Sequence, residues 1–181
     1  MKYLIIDDMP ADLKLLKRAL IKAENTVNIA QNLGVGWQRI EHERNNGNPF
    51  DLVVLDLALD IGSHEFTEEN AIIKDALAGH HHGDLPASGQ TLGLRLWHRR
   101  KELQQRYCYM THHQYLWISK LTQEDPEFEE QEVYGNTKAI PERISGLILE
   151  KSDLWPDNVA GKFRNAWRVW EDSEWLRQSI P

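Results

Sequence analysis

Three carboxylates stand at the ends of two apolar runs in the sequence. Asp7 and Asp8 follow the run at residues 3–6, and Asp56 lies near the end of the run at residues 50–59. Three ionised acids that lie close together repel one another unless a cation neutralises them. Oxygen ligands of this kind suit Mg2+, which keeps several waters and often serves phosphoryl chemistry. If the fold brings these acids together, the sequence predicts a Mg2+ site.

Elements of two kinds alternate along the chain and would have to position these acids. Apolar runs that predict strands alternate with segments of helical periodicity. The predicted strands cover residues 3–6, 26–31, 50–59, 107–111 and 146–150, and the predicted helices cover 10–24, 34–47, 90–106 and a last helix around 159–170. This order predicts an α/β fold, a doubly wound five-stranded parallel sheet of order 2-1-3-4-5, flavodoxin-like, with helices on both faces.

A sheet of that order decides where the acids meet. Its first and third strands are neighbours at the topological switch point, and ligands bind beyond their carboxyl ends. Asp7 and Asp8 end the first of these strands, and Asp56 lies near the end of the other. The predicted topology therefore places all three carboxylates in one crevice.

The composition excludes several classes of function. The chain has 181 residues, of which 41% are hydrophobic and 27% are charged, as expected for one globular domain. Its net charge of −7 argues against nucleic acid as a partner. No apolar stretch approaches the ~20 residues of a membrane span. Because Cys108 is the only cysteine and no signal peptide is recognisable, we expect a cytoplasmic protein with this thiol buried in strand 4.

The motifs, taken in order, resemble the receiver domain of two-component response regulators. The matching pieces are LIIDDMP at strand 1, DLVVLDLAL at strand 3, MT at strand 4 and LILEKS at strand 5. The resemblance implies that Asp56 accepts a phosphoryl group. It also implies roles for the following residues: Asp7 and Asp8 as the acidic pair for Mg2+, Thr111 as the hydroxyl, Lys151 as the cation and the Ala58 carbonyl as a further Mg2+ ligand.

Three positions depart from the pattern of that family. Ser152 follows Lys151, where the family usually has proline. His112 follows Thr111, where a small residue is usual, and Ile148 occupies a strand position that is often aromatic. The ring of His112 could narrow the path to Asp56, so the departures leave phosphorylation compatible with the sequence without establishing it, and they weaken the case for the family's usual output mechanism.

Two long segments interrupt the alternation and are expected to be insertions in a single domain spanning 1–181. For residues 60–88 we predict a lid or partner-docking element outside the core, with a short helix at 67–79. The second insertion covers residues 122–145. Its acidic run at 123–132 is expected to be a solvated surface.

Histidines cluster in the first insertion. His80, His81 and His82 are consecutive, and His64 precedes them. Histidine is a common zinc ligand, but consecutive histidines cannot easily all face one ion, and no cysteine accompanies them. We therefore expect a solvated loop rather than a zinc site.

Three functions are compatible with these observations. The first is a stand-alone receiver, which receives its phosphoryl group from a histidine kinase or phosphotransfer protein. Such a protein is not an enzyme in the ordinary sense, although it could remove its own phosphoryl group. It would signal to an unknown downstream protein. The contact would be made either by the face that the resemblance implies around strand 5, between the family's fourth and fifth helices, or by the insertions. The second is a Mg2+-dependent phosphohydrolase with an Asp nucleophile, but Ala58 stands where that class needs a general acid. The third is a receiver-like scaffold independent of phosphorylation.

Overall fold

A computed structural model describes residues 1–59, 64–79, 88–119, 121–122, 124–129, 140 and 142–177. The strands in these ranges are β1 (Lys2–Ile6), β2 (Thr26–Ala30), β3 (Leu52–Leu55), β4 (Tyr107–Thr111) and β5 (Ile148–Glu150). The α-helices are α1 (Lys14–Lys22), α2 (Leu33–Asn45), α3 (Thr67–Gly79), α4 (Gln90–His98), α5 (Arg100–Leu103) and α6 (Val159–Ser173). No helix among the described residues is long and apolar enough to cross a bilayer.

The five strands form one parallel sheet of order 2-1-3-4-5, which confirms the predicted fold class. Strand β1 pairs with β2 on one side and with β3 on the other, and Ile6 lies opposite Leu55. All four residues of β3 are buried, as the continuous apolar run predicts for a strand that is covered on both faces.

Helices cover both faces of the sheet because successive side chains of a strand point to opposite sides. On one face Tyr3 packs edge-on against Phe163 of α6, with 5.4 Å between ring centroids, and α1 packs beside α6. On the other face α2 approaches so closely that a Cβ at Gly36 would lie 2.1 Å from the side chain of Ile6. The core therefore has two apolar layers, one on each side of the sheet.

Two predicted helices differ most from the structure. The helix predicted at residues 10–24 begins only at Lys14, because residues 10–13 form a turn. The helix predicted at 90–106 is divided at Arg99 into α4 and α5. The strand predictions hold, although β3 and β5 are shorter than expected.

The described part of the first insertion packs against the rest of the protein. The predicted helix at 67–79 is confirmed, but Phe66, just before it, is 0% exposed and lies in the main hydrophobic cluster. Ile73 and Leu77 are also buried and form a second, separate cluster with Ile118. The hypothesis that this segment lies outside the core is therefore wrong for Phe66, and the role of the segment as a lid or docking element stays a prediction.

The histidine run of that insertion lies outside the described residues. Residues 80–87 include His80, His81 and His82. The choice between a solvated loop and a zinc site therefore stays a prediction.

The described part of the second insertion is also packed into the protein. Between β4 and β5 the described residues contain 3-10 turns, at Gln114–Leu116, Glu127–Glu129 and Glu142–Leu147. The resemblance implied an α-helix at this place, the fourth helix of that family. Glu127 is 0% exposed and Phe128 is 1% exposed, so the expectation of a solvated acidic run is wrong at these positions. Glu124 and Glu129 of the same run are exposed, as expected.

Phe128 explains why the acidic run turns inward. The centroid of its ring lies 5.4–6.3 Å from the ring centroids of six other aromatic residues, Trp97, Tyr107, Tyr109, Trp117, Trp170 and Trp175. Burial of an aromatic side chain among other rings is strongly favourable. This packing holds Phe128 at a φ of 62°, a left-handed conformation that a bulky residue rarely adopts.

Candidate functional site

The three acids at the strand ends lie together at the carboxyl edge of the sheet. Asp7 and Asp8 follow β1, and Asp56 follows β3. The Asp56 N–H donates to the carbonyl of Ile6 over 3.0 Å, so the pairing of the two strands continues to the edge. One carboxylate oxygen from each acid lies within 4.8 Å of the other two. The structure thus brings the three acids into one crevice, as the sheet order predicts.

Lys151 reaches this crevice from β5, across the intervening strand β4. Its Nζ lies 2.6 Å from Oδ2 of Asp56 and 2.8 Å from Oδ2 of Asp7. The Lys151 side chain is 15% exposed, and both carboxylates are almost fully buried. One ammonium therefore bridges two of the three predicted acids, where a buried carboxylate needs a partner.

The bridge sets the protonation of both partners. Burial raises the pKa of Asp56, and the Lys151 ammonium opposes that rise. Burial lowers the pKa of Lys151, but the two carboxylates outweigh this effect, so that its pKa is raised above the ordinary value. Lys151 is therefore held as a cation next to a carboxylate that is more basic than usual.

The two carboxylate oxygens of Asp7 have different partners. Oδ1 of Asp7 accepts a hydrogen bond from the Met9 N–H over 2.8 Å. Oδ2 of Asp7 is buried and makes no hydrogen bond, and its partner is the Lys151 ammonium at an ion-pair distance of 2.8 Å. A carboxylate oxygen held by one ion pair keeps acceptor capacity that a second cation can use.

The remaining predicted site residues lie around these groups. Thr111 ends β4, is 1% exposed, and its Oγ1 accepts a hydrogen bond from the His113 N–H over 3.0 Å. The Ala58 N–H donates to Oδ1 of Asp56 over 3.3 Å. The ligand role of the Ala58 carbonyl stays a prediction. The ring of His112 is exposed.

Sequence reasoning missed one residue that shapes the crevice. Gly89 immediately precedes α4, and a Cβ at this position would lie 1.9 Å from the carbonyl oxygen of Asp56. Only glycine allows the start of this helix to lie so close to the strand end. The available signal was the glycine just before the helical period that begins at Gln90.

Comparison with known proteins adds little to this description. The sequence matches no protein-family model and no curated protein sequence. The structure is similar to the N-terminal domain of a response regulator/sensory box/GGDEF three-domain protein from Carboxydothermus hydrogenoformans. The two are 18% identical over 95% of this chain and 98% of that chain, with a TM-score of 0.43.

A second similar structure is a segment of the yeast Spc42 trimeric coiled coil fused to another protein. It is 16% identical over 94% of this chain and 79% of that chain, with a TM-score of 0.45. Identities this low show nothing about activity. The sheet order and the position of the acidic crevice at the switch point define this chain as a flavodoxin-like α/β domain with a candidate metal site.

Proposed function

We propose that the chain is a response-regulator receiver that accepts a phosphoryl group on Asp56 and signals through protein contacts. One observation carries the proposal: Lys151 bridges Asp7 and Asp56 inside a crevice of three carboxylates. Asp7 and Asp56 share this one ammonium, and Asp8 lies beside them, so that carboxylate oxygens of three acids lie close enough together to bind a divalent cation. This combination of acids and a fixed cation suits the transfer of a phosphoryl group.

The residues present fit a Mg2+ ion. Asp7, Asp8 and Asp56 would supply carboxylate oxygens, and Ala58 would supply its carbonyl. All are hard oxygen donors of the kind that Mg2+ prefers, and Oδ2 of Asp7 has no hydrogen bond in the structure. When bound, the ion neutralises charge on the phosphoryl oxygens.

The chain's own residues account for the rest of the transfer. A carboxylate oxygen of Asp56 attacks the phosphorus of a phosphohistidine on a histidine kinase or phosphotransfer protein. The new P–O bond forms while the P–N bond breaks, and the electron pair of that bond leaves with the imidazole nitrogen. Lys151 stabilises the charge on the phosphoryl oxygens, and the Thr111 hydroxyl donates to one of them.

The proposal is tested by the intact mass of the protein after incubation with Mg2+ and acetyl phosphate. We expect the mass to increase by one phosphoryl group. No increase, with the protein folded, would leave the phosphorylation-independent scaffold as the better interpretation. Continuous release of phosphate that is faster than the loss of the phosphoryl group from isolated phosphoprotein would favour the phosphohydrolase, although Ala58 offers no acid to protonate a leaving group.

A further inference from the structure

Another buried carboxylate, that of Glu127, lies away from the crevice, in the segment between β4 and β5. Oε1 of Glu127 accepts hydrogen bonds from the hydroxyls of Tyr107, over 2.6 Å, and Tyr109. Oε2 accepts from Nε2 of Gln90 over 2.7 Å and from Nε1 of Trp117 over 2.9 Å. A carboxylate has four such acceptor positions, so Glu127 is fully satisfied.

The four donors are stable partners. Burial raises the pKa of the Tyr107 and Tyr109 hydroxyls well above the ordinary value, so both stay protonated and able to donate. Burial also raises the pKa of Glu127, and the four donated hydrogen bonds oppose that rise. Since each donor is buried as well, the cluster has no alternative partners in water.

Gln90 extends this cluster to the loop after β4. Its Nε2 donates to the Ile118 carbonyl over 2.8 Å, and its Oε1 accepts from the Ile118 N–H over 3.0 Å. Gln90 is the first residue of α4. The start of α4, the loop at Ile118 and the turn at Glu127 are therefore held together by one side chain.

The same helix end contacts the proposed phosphoryl acceptor. Gly89, next to Gln90, lies against the carbonyl of Asp56 at a distance that excludes a Cβ. One helical turn later, a Cβ at Gly93 would lie 1.8 Å from the hydroxyl oxygen of Tyr109. The first turn of α4 is thus fitted between the backbone of Asp56 and the cluster around Glu127.

We propose that Glu127 is a positioning residue for the phosphoryl-accepting site. Through Gln90 it fixes the start of α4 against the backbone of Asp56. Through Tyr109 it fixes β4 two residues before Thr111. This inference rests on the proposed function and adds to it a residue that lies outside the crevice and contacts none of the reacting atoms.

The test compares Glu127→Gln with wild type and with Glu124→Gln. Glu124→Gln removes the same charge from an exposed side chain of the same segment. Glu127→Gln keeps the shape of the side chain but presents an amide donor to groups that are themselves donors. With Mg2+ and acetyl phosphate, we expect about tenfold slower phosphorylation in Glu127→Gln, since small displacements of reacting groups are costly. The rate of Glu124→Gln should equal that of wild type.

A double-mutant comparison separates positioning from general destabilisation. Gln90→Met breaks the link to the helix while Glu127 stays in place. If Glu127 acts through Gln90, the two substitutions will not have additive effects on the logarithm of the phosphorylation rate, measured below the unfolding temperature of every variant. If the fold reduction in rate of the double variant equals the product of the two single fold reductions, the two residues act independently, which would contradict the route through Gln90. A wild-type rate in folded Glu127→Gln would overturn the proposal.

Two further measurements cover the remaining outcomes. If Glu127→Gln does not fold, Tyr109→Phe removes one donor and keeps the ring, and should slow phosphorylation to a smaller degree. An unchanged rate in that variant would also overturn the proposal. If wild type takes up no phosphoryl group, the proposed function fails instead. The positioning is then judged on the NMR amide shifts of Gly89 and Ala58, which must change in Glu127→Gln or, where that variant does not fold, in Tyr109→Phe.

Discussion

The protein holds buried carboxylates in two places, and the two places satisfy them differently. In the crevice, Asp7 and Asp56 share the ammonium of Lys151, and Oδ2 of Asp7 makes no hydrogen bond. In the cluster after β4, Glu127 accepts hydrogen bonds from four uncharged donors, two on each oxygen.

The difference separates a site for a ligand from a site for structure. A buried polar group with every position filled stabilises one conformation and has nothing to offer a ligand. Buried carboxylates that share a single ammonium, at the switch point of a parallel sheet, keep acceptor capacity for a cation. All of these acids are ordinary Asp and Glu residues, so their contacts rather than their residue type distinguish the two sites.

The largest expected effect is the loss of phosphoryl uptake in Asp56→Asn. An amide in place of the carboxylate has no nucleophilic oxygen anion, so uptake from acetyl phosphate should fall to background. Intact mass measures it directly. The control is Asp157→Asn, which changes an exposed acid and should be modified to the wild-type extent. Equal modification of Asp56→Asn and wild type would show that another residue is the acceptor.

The second effect is on stability and belongs to the cluster. Glu127→Ala removes the acceptor that four buried donors share and should lower the free energy of unfolding by about 3–5 kcal/mol. The matched control, Glu124→Ala, should change it by less than about 0.5 kcal/mol, as surface substitutions do. Urea denaturation of the three proteins checks both values. A small loss of stability in Glu127→Ala would mean that the donors find other partners. The carboxylate of Glu127 would then not be needed for the structure.

The third effect concerns the first insertion. Phe66→Ala removes a fully buried ring from the main core and should cost about 3–5 kcal/mol. Leu15→Ala, at a side chain that is 63% exposed, is the control and should cost little. Replacing residues 64–84 with a short Gly/Ser linker should therefore destabilise the protein strongly, contrary to what the sequence alone suggested. A deletion variant with wild-type thermal stability would restore the interpretation as a lid.

The crevice could be predicted from sequence and the cluster could not, for a physical reason. Asp7, Asp56 and Lys151 each end a strand, and the order of strands in a doubly wound sheet fixes which ends are neighbours. Topology alone therefore brings them together. Glu127 has no such constraint, since it lies in a segment without regular structure, and its burial depends on how the ring of Phe128 packs among six others.

The insertions show the same limit. The helix at 67–79 was predictable from local pattern, but its packing was not, because Phe66 and the contacts of α3 with α4 are tertiary. Glu69 of α3, for example, pairs with Arg95 of α4 at 2.6 Å, a contact that no local pattern contains. Composition favoured a solvated acidic run at 123–132 because it cannot show that one acid of the run meets four donors.

The fourth effect is on metal affinity. Asp8→Ala removes one of the three carboxylates of the crevice and should weaken Mg2+ binding by roughly tenfold or more, since even the partners of metal ligands matter at that level. Glu124→Ala is the control for loss of a negative charge elsewhere. Isothermal titration with MgCl2 measures both affinities. If Asp8→Ala and wild type bind Mg2+ equally, Asp8 is not a ligand. The crevice would then resemble the cluster around Glu127, whose carboxylate has no position left for a ligand.

The smallest effect is on the pH dependence of stability, and it separates the two sites by their response to Mg2+. Burial raises the pKa of Asp56 and of Glu127, so the folded protein binds a proton at each group more tightly than the unfolded chain does. Each group therefore makes stability fall as the pH rises from its ordinary pKa, 3.8 for Asp56 and 4.5 for Glu127, to its raised value in the folded protein. Mg2+ binds the ionised form of Asp56 and should remove that group's share of the fall. The share of Glu127, which lies among uncharged donors away from the crevice, should remain.

The measurement is urea denaturation across this pH range with and without Mg2+. The effect of Mg2+ on the slope should persist in Glu127→Gln and be smaller in Asp56→Asn. A Mg2+ effect that is lost in Glu127→Gln and kept in Asp56→Asn would reverse the assignment of the two sites.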